Sequence, residues 1–186
     1  MCGRYYIEID NEELHSIIAA VENKTAIKTG EIRPTNIVPV LSPTGDMTTM
    51  RWGFPRHYGK SKQHINARSE TATKLDTFCR PMIEGRCLIP ASWYFEWEDQ
   101  GSKKVKYSLF SPDKSPVWMA GLSQINFETG ESNFVILTRP AWEDILFIHN
   151  RMPVILPKEA HDEWLFGHDP VSTMKKAVDE MAYKIT

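Results

Sequence analysis

No run of about 18 or more apolar residues occurs in the chain, so no segment reads as a membrane-spanning helix. The amino end, MCGRYYIEID, lacks the basic start and apolar stretch of a secretory leader, which makes a reducing cytoplasm the expected compartment. Cysteine is scarce. Cys2, Cys79 and Cys87 are an odd number with no CxxC pair, which suits a compartment where thiols stay reduced. His15, His57, His64, His149, His161 and His168 form no HxxxH pair, so no zinc site and no cofactor is expected. A dominant charge is missing too: the net charge of −2 is not the profile of a strong general nucleic-acid binder. Repeats, low-complexity tracts and linkers are likewise absent.

What is present suffices for one domain over residues 1–186, with a 41% apolar share able to fill a core. Asn11–Val21 reads as a helix, capped by Asp10 or Asn11, with Leu14, Ile17, Ile18 and Val21 on one face. An extended stretch punctuated by Pro34 and Pro39 follows, then a strand at Met47–Trp52. Arg86–Ile89, Trp93–Glu98, Val105–Phe110, Val117–Leu122 and Phe134–Thr138 read as short strands, with hairpin turns at Asp99–Gly101 and Glu128–Gly130. Trp142–Phe147, Pro157–Leu165 and Val171–Tyr183 read as helices, and Tyr5 and Tyr6 as the start of a strand that anchors the amino end. The expected fold is α+β, with a mostly antiparallel sheet.

Charge is unevenly spread. Met47–Ser69 holds Arg51, Arg56, Lys60, Lys62 and Arg68 with His57 and His64 and no acid, while the part from Glu159 onward has more acids than bases. Such a stretch is either a solvated face or a local phosphate contact. Trp52 and Phe54 stand beside its arginines, a pairing that serves base stacking or core packing.

Four residues bear on chemistry. Removal of Met1 would give Cys2 both a free α-amine and a thiol, a pair that condenses with an aldehyde to an imine and then a thiazolidine; otherwise Cys2 is only the second residue of a chain. Glu96, inside Trp93-Tyr94-Phe95-Glu96-Trp97, is either desolvated and suited to proton transfer or turned to solvent by strand alternation. His149 is a general acid or base or a structural histidine, and Asn66 a helix cap or a substrate-binding amide.

In order along the chain stand Met1-Cys2-Gly3-Arg4-Tyr5, Arg51-Trp52-Gly53-Phe54, Ile65-Asn66-Ala67-Arg68-Ser69-Glu70-Thr71, Arg86-Cys87-Leu88-Ile89-Pro90-Ala91, Phe95-Glu96-Trp97 and His149-Asn150-Arg151-Met152-Pro153. Together they resemble the SRAP (SOS-response-associated peptidase) family over residues 1 to about 157. The resemblance implies a barrel-like, mostly antiparallel sheet flanked by helices and a positive groove for single-stranded DNA. It also implies that Cys2 crosslinks to the aldehyde of an abasic site through a thiazolidine. Asn66, Glu96 and His149 match the other active-site positions. Arg4, Arg68 and Arg151 match arginines facing phosphate, and Pro34 and Trp52 fall near the wedge or stack at the lesion. Weak lyase activity, self-processing of Met1, a monomer, and nucleoid association when DNA-bound complete the expectation. Trp93, Phe95 and Asn150 depart from the usual glycine, tyrosine and aspartate, which puts the strand beside Glu96 and the setting of His149 in question. Two rivals remain at this point: a cysteine peptidase built on Cys2, and a reader of single strands that forms no bond.

Overall fold

Arg86–Ala91 is buried at all six positions, the mark of a strand covered on both faces. In the computed structural model it lies within a sheet that closes on itself. The structure describes residues 2–22, 27–55 and 63–186. Met1, Arg56, His57, Lys60 and Lys62 lie outside the described residues, and with them most of the basic stretch.

The strands run in chain order β1 (Arg4–Ile7), β2 (Gly30–Ile32), β3 (Ile37–Leu41), β4 (Met47–Trp52), β5 (Phe54–Pro55), β6 (Gln63–His64), β7 (Asn66–Arg68), β8 (Arg86–Ala91), β9 (Trp93–Asp99), β10 (Lys104–Phe110), β11 (Val117–Ile125), β12 (Ser132–Pro140), β13 (Arg151–Pro153) and β14 (Ala182–Ile185). The helices are α1 (Glu12–Glu22), α2 (Asp76–Glu84), α3 (His161–Phe166) and α4 (Pro170–Met174). The order β11-β8-β3-β4-β12, with β11 also paired to β12, closes a five-stranded barrel. A second sheet runs β14-β10-β9-β1-β2. Pairing is antiparallel except where β12 takes β4 and then β7 in parallel. The fold is therefore the expected α+β class.

Strand β8 feeds two cores. Cys87, Ile89 and Ala91 pack with Trp52, Phe134, Tyr5 and Tyr94, whereas Leu88 packs with Phe78 of α2 and Trp164 of α3. Trp164 donates its indole N–H to the Cys87 carbonyl at 2.9 Å, so the outer helix is bonded as well as packed.

Helix α1 starts as expected, with Asn11 Oδ1 accepting from the Leu14 amide at 3.1 Å. Both hairpin turns stand where expected, each with a glycine at positive φ, Gly101 and Gly130. The Trp142–Phe147 segment forms only a 3-10 turn at Glu143–Ile145. The expected helix over Val171–Tyr183 is corrected: α4 ends at Met174, and β14 begins at Ala182. The Val178 amide is drawn to the Ile155 carbonyl at 2.8 Å, and β14 pairs with β10, so tertiary hydrogen bonds override the helical period.

Candidate active site at the amino end

Strand β1 brings the amino end into the interior. Arg4 pairs with Phe95 and Tyr5 with Tyr94, so the chain just before β1 lies beside β9. Cys2 is 0% exposed and belongs to the main core. Its carbonyl accepts from Asn66 Nδ2 at 2.9 Å, and its thiol points at the Arg4 carbonyl 3.7 Å away. Asn66 is placed by β7, whose register on β12 sets it opposite Ile136. It is a strand residue, not a helix cap.

Alternation along β9 turns Tyr94 and Glu96 inward, at 0% and 3% exposure. The solvent-facing alternative for Glu96 is thereby overturned. Burial raises this carboxyl from its ordinary 4.5 to about 7, against the pull of the positive amino terminus. Burial also pushes the Cys2 thiol well above its usual range, and the nearby charge of Glu96 adds to the effect. At neutral pH the thiol is thus a protonated donor, while Glu96 titrates at about 7.

His149 follows a 3-10 turn and precedes β13. Its Nδ1 accepts the Arg151 amide at 2.9 Å, which puts the proton of the neutral ring on Nε2. Burial is the first cause lowering its pKa below the ordinary 6.5, so the ring is mainly neutral at pH 7. The backbone amide of Arg151 orients this ring in a chain where Asn150 replaces the usual aspartate.

The other departures are absorbed on the far face of β9. Trp93 stacks on Tyr6 with centroids 4.5 Å apart, and Lys106 sits 3.7 Å above the Phe95 ring. Trp93 keeps regular strand register opposite Tyr6, so Glu96 remains on an undistorted strand.

The expected phosphate contacts are differently engaged. Arg4 meets Glu31 at 2.6 Å, where Lys106 and Arg33 also converge. Arg151 is tied to both oxygens of Glu70 and to the Thr138 carbonyl at 2.6 Å. Arg68 is exposed and has no ion pair among the described residues. Pro34 lies half-buried in a turn whose next residue, Thr35, has φ 79°. Trp52 requires a correction. It is 0% exposed, its indole N–H donates to the Ile65 carbonyl at 2.9 Å, and its ring stacks at 9° on Phe134. A ring enclosed in this way is core and presents no face to a base.

Sequence reasoning gave no site role to Glu31 and Glu70, which pair with Arg4 and Arg151, or to the buried Tyr94, and took Tyr5 only as an anchor of the amino end. The signal for Tyr94 was its place two residues from Glu96 on one strand face. A hollow of about 510 Å³ lined by Trp142, Asp144, Phe147, Glu180 and Tyr183 gathers none of the four candidate catalytic residues.

A family model described as SOS response associated peptidase (SRAP) matches residues 1–185. The abasic site processing protein YedK of Escherichia coli is 29% identical to this chain over 176 residues, covering 89% of this chain and 79% of that one. YoqW of Bacillus subtilis, also named an abasic site processing protein, is 31% identical over 186 residues, covering 89% and 80%. A crystal structure of a Bacteroides thetaiotaomicron protein matches in fold with a TM-score of 0.81 at 21% identity, covering 99% of this chain and 91% of that chain. One from Bordetella bronchiseptica matches with a TM-score of 0.78 at 26% identity, covering 100% and 99%.

Proposed function

Because the chain belongs to the SOS response associated peptidase (SRAP) family, we propose that it captures abasic sites in single-stranded DNA through a covalent bond to Cys2. The observation that carries this reading is the setting of Cys2: Asn66 holds its main chain while Glu96, titrating near 7, lies within electrostatic reach of its thiol.

Removal of Met1 frees the Cys2 amine. An α-amine with a pKa of about 7.7–8.0 is roughly 10–17% neutral at pH 7, so the attacking form is present. The amine lone pair adds to the aldehyde carbon of the opened sugar, and the nitrogen proton passes through Glu96 to the oxygen. The protonated fraction of His149 gives the proton that expels water from the carbinolamine and then takes the nitrogen proton in return, leaving a neutral imine. The thiol then adds to the imine carbon, its proton moves by way of Glu96 to nitrogen, and a thiazolidine closes. The net change is loss of one water. Asn66 fixes the direction of attack. Arg4, Arg68 and Arg151 hold flanking phosphates, with Pro34 beside the lesion. An imine that closes slowly is open to β-elimination, so weak lyase activity is the expected side reaction.

A second reading follows from the family's description, namely hydrolysis of peptides by Cys2 with His149. The buried thiol argues against it, since a peptidase nucleophile needs a lowered pKa and this one is raised. Peptidase action is therefore limited to release of Met1.

Denaturing intact-mass analysis with a single-stranded oligonucleotide bearing one abasic site tests the reading. The expected species has the summed mass less one water, starts from protein lacking Met1, and is lost with Cys2→Ala. Unmodified protein and DNA after incubation would leave a non-covalent reader, and turnover of a generic peptide would favour the peptidase.

A further inference from the structure

Tyrosine hydroxyls in protein interiors normally find a hydrogen-bond partner. Tyr5 and Tyr94 do not: both hydroxyls are buried and without a partner among the described residues. The two residues face each other across β1 and β9, and Tyr94 shares its strand face with Glu96. Both tyrosines are 0% exposed and pack in the same core as Cys2. Each phenol senses the charge of Cys2, and Tyr94 also senses Glu96 and Arg139. Arg139 is anchored to Asp179 at 2.6 Å and to the Val178 carbonyl at 2.5 Å. Asn66 adds another buried orphan in its Oδ1. Phenylalanine would fill both tyrosine positions without leaving a polar atom unmatched, so packing alone does not account for the hydroxyls.

Resting on the crosslinking reading above, we infer that the Tyr94 hydroxyl, with Tyr5 beside it, is a positioning group for the Cys2 sulfur during ring closure. It donates a hydrogen bond to the sulfur as the thiol gives its proton to Glu96. The sulfur pair forms the C–S bond, the π pair of the imine withdraws to nitrogen, and nitrogen takes the proton back from Glu96. Tyr94 ends the step with its own proton in place. The hydroxyl thus acts on the second bond, after the amine has captured the aldehyde.

The test compares wild type, Tyr94→Phe and Tyr5→Phe with the same abasic oligonucleotide, quenching each time point with and without borohydride. Borohydride traps the imine, and the unreduced crosslink reports the closed ring. Tyr94→Phe is expected to slow closure at least about tenfold, the worth of one hydrogen bond to a charged group. The imine share should rise while imine formation keeps its rate and the melting temperature is unchanged or higher. Tyr5→Phe, at the facing position, should shift the same ratio less and checks the result in a separate variant. If wild type crosslinks and both variants close the ring at the wild-type rate, the inference fails and the crosslinking reading stands. If wild type forms neither imine nor ring, both fall.

Discussion

Glu96 shows how one buried carboxyl sets two opposite responses to pH. Its pKa lies near 7 in the folded chain and near 4.5 when unfolded, so folding takes up a proton between those values. The stabilising contribution is complete below about pH 4.5 and lost as pH rises through 7, a change on the order of 3 kcal/mol. Thermal unfolding from pH 5 to 8 should therefore show a falling melting temperature in wild type and a flatter profile in Glu96→Gln. Crosslinking should run the other way, its rate rising from pH 6 to 8 as Glu96 becomes a base and the amine loses its proton. A rate that does not change with pH would remove Glu96 from proton transfer. Cys2, Asn66, Glu96 and His149 were picked out as candidates by the family resemblance, since the residues alone left each with two readings; burial then favours the desolvated reading of Glu96. The core placement of Trp52 was not legible, because an aromatic residue beside cations reads alike in a core and on a surface.

At the scale of elements, strands were easier to find than helices. Apolar alternation and the glycine turns at Gly101 and Gly130 marked both hairpins. Helix α2 carries Pro81 inside it and escaped notice, while the apolar spacing after Val171 suggested a helix that β10 and Ile155 reclaim as strand and loop. Closure depends on Gly121, which pairs with Cys87 on one side and Ile136 on the other. A Cβ there would stand 2.8 Å from the Val135 carbonyl oxygen, so backbone would have to move. Gly121→Ala should cost about 3 kcal/mol or prevent folding, measured by denaturant unfolding. The Arg151–Glu70 pair makes a different prediction. Glu70→Ala strands a guanidinium whose side chain is only 12% exposed, so stability should drop by about 1–3 kcal/mol. The released charge should meanwhile strengthen binding to intact single strands, measured by fluorescence anisotropy at low salt.

Taken whole, the molecule is nearly neutral, and three arginines that are candidates for phosphate contact already hold acids: Arg4, Arg51 and Arg151. Non-covalent affinity for intact single strands should accordingly fall only gently with salt, with a slope no steeper than about −2 in log affinity against log salt. A steeper slope in a salt titration would mean that the pairs to Glu31 and Glu70 break when DNA binds. The barrel that encloses the site has one more consequence, which concerns time. Among the described residues strand β7 pairs only with β12, and 70 residues separate Asn66 from Ile136. While the chain is leaving the ribosome, no holder for Cys2 can form until that late strand has emerged. The amino end therefore spends most of synthesis in water, open to the enzymes that trim new chains. After folding, Cys2 is fully enclosed. The Asn66 contact that holds Cys2 thus belongs to the last stage of folding, after β12 has been made.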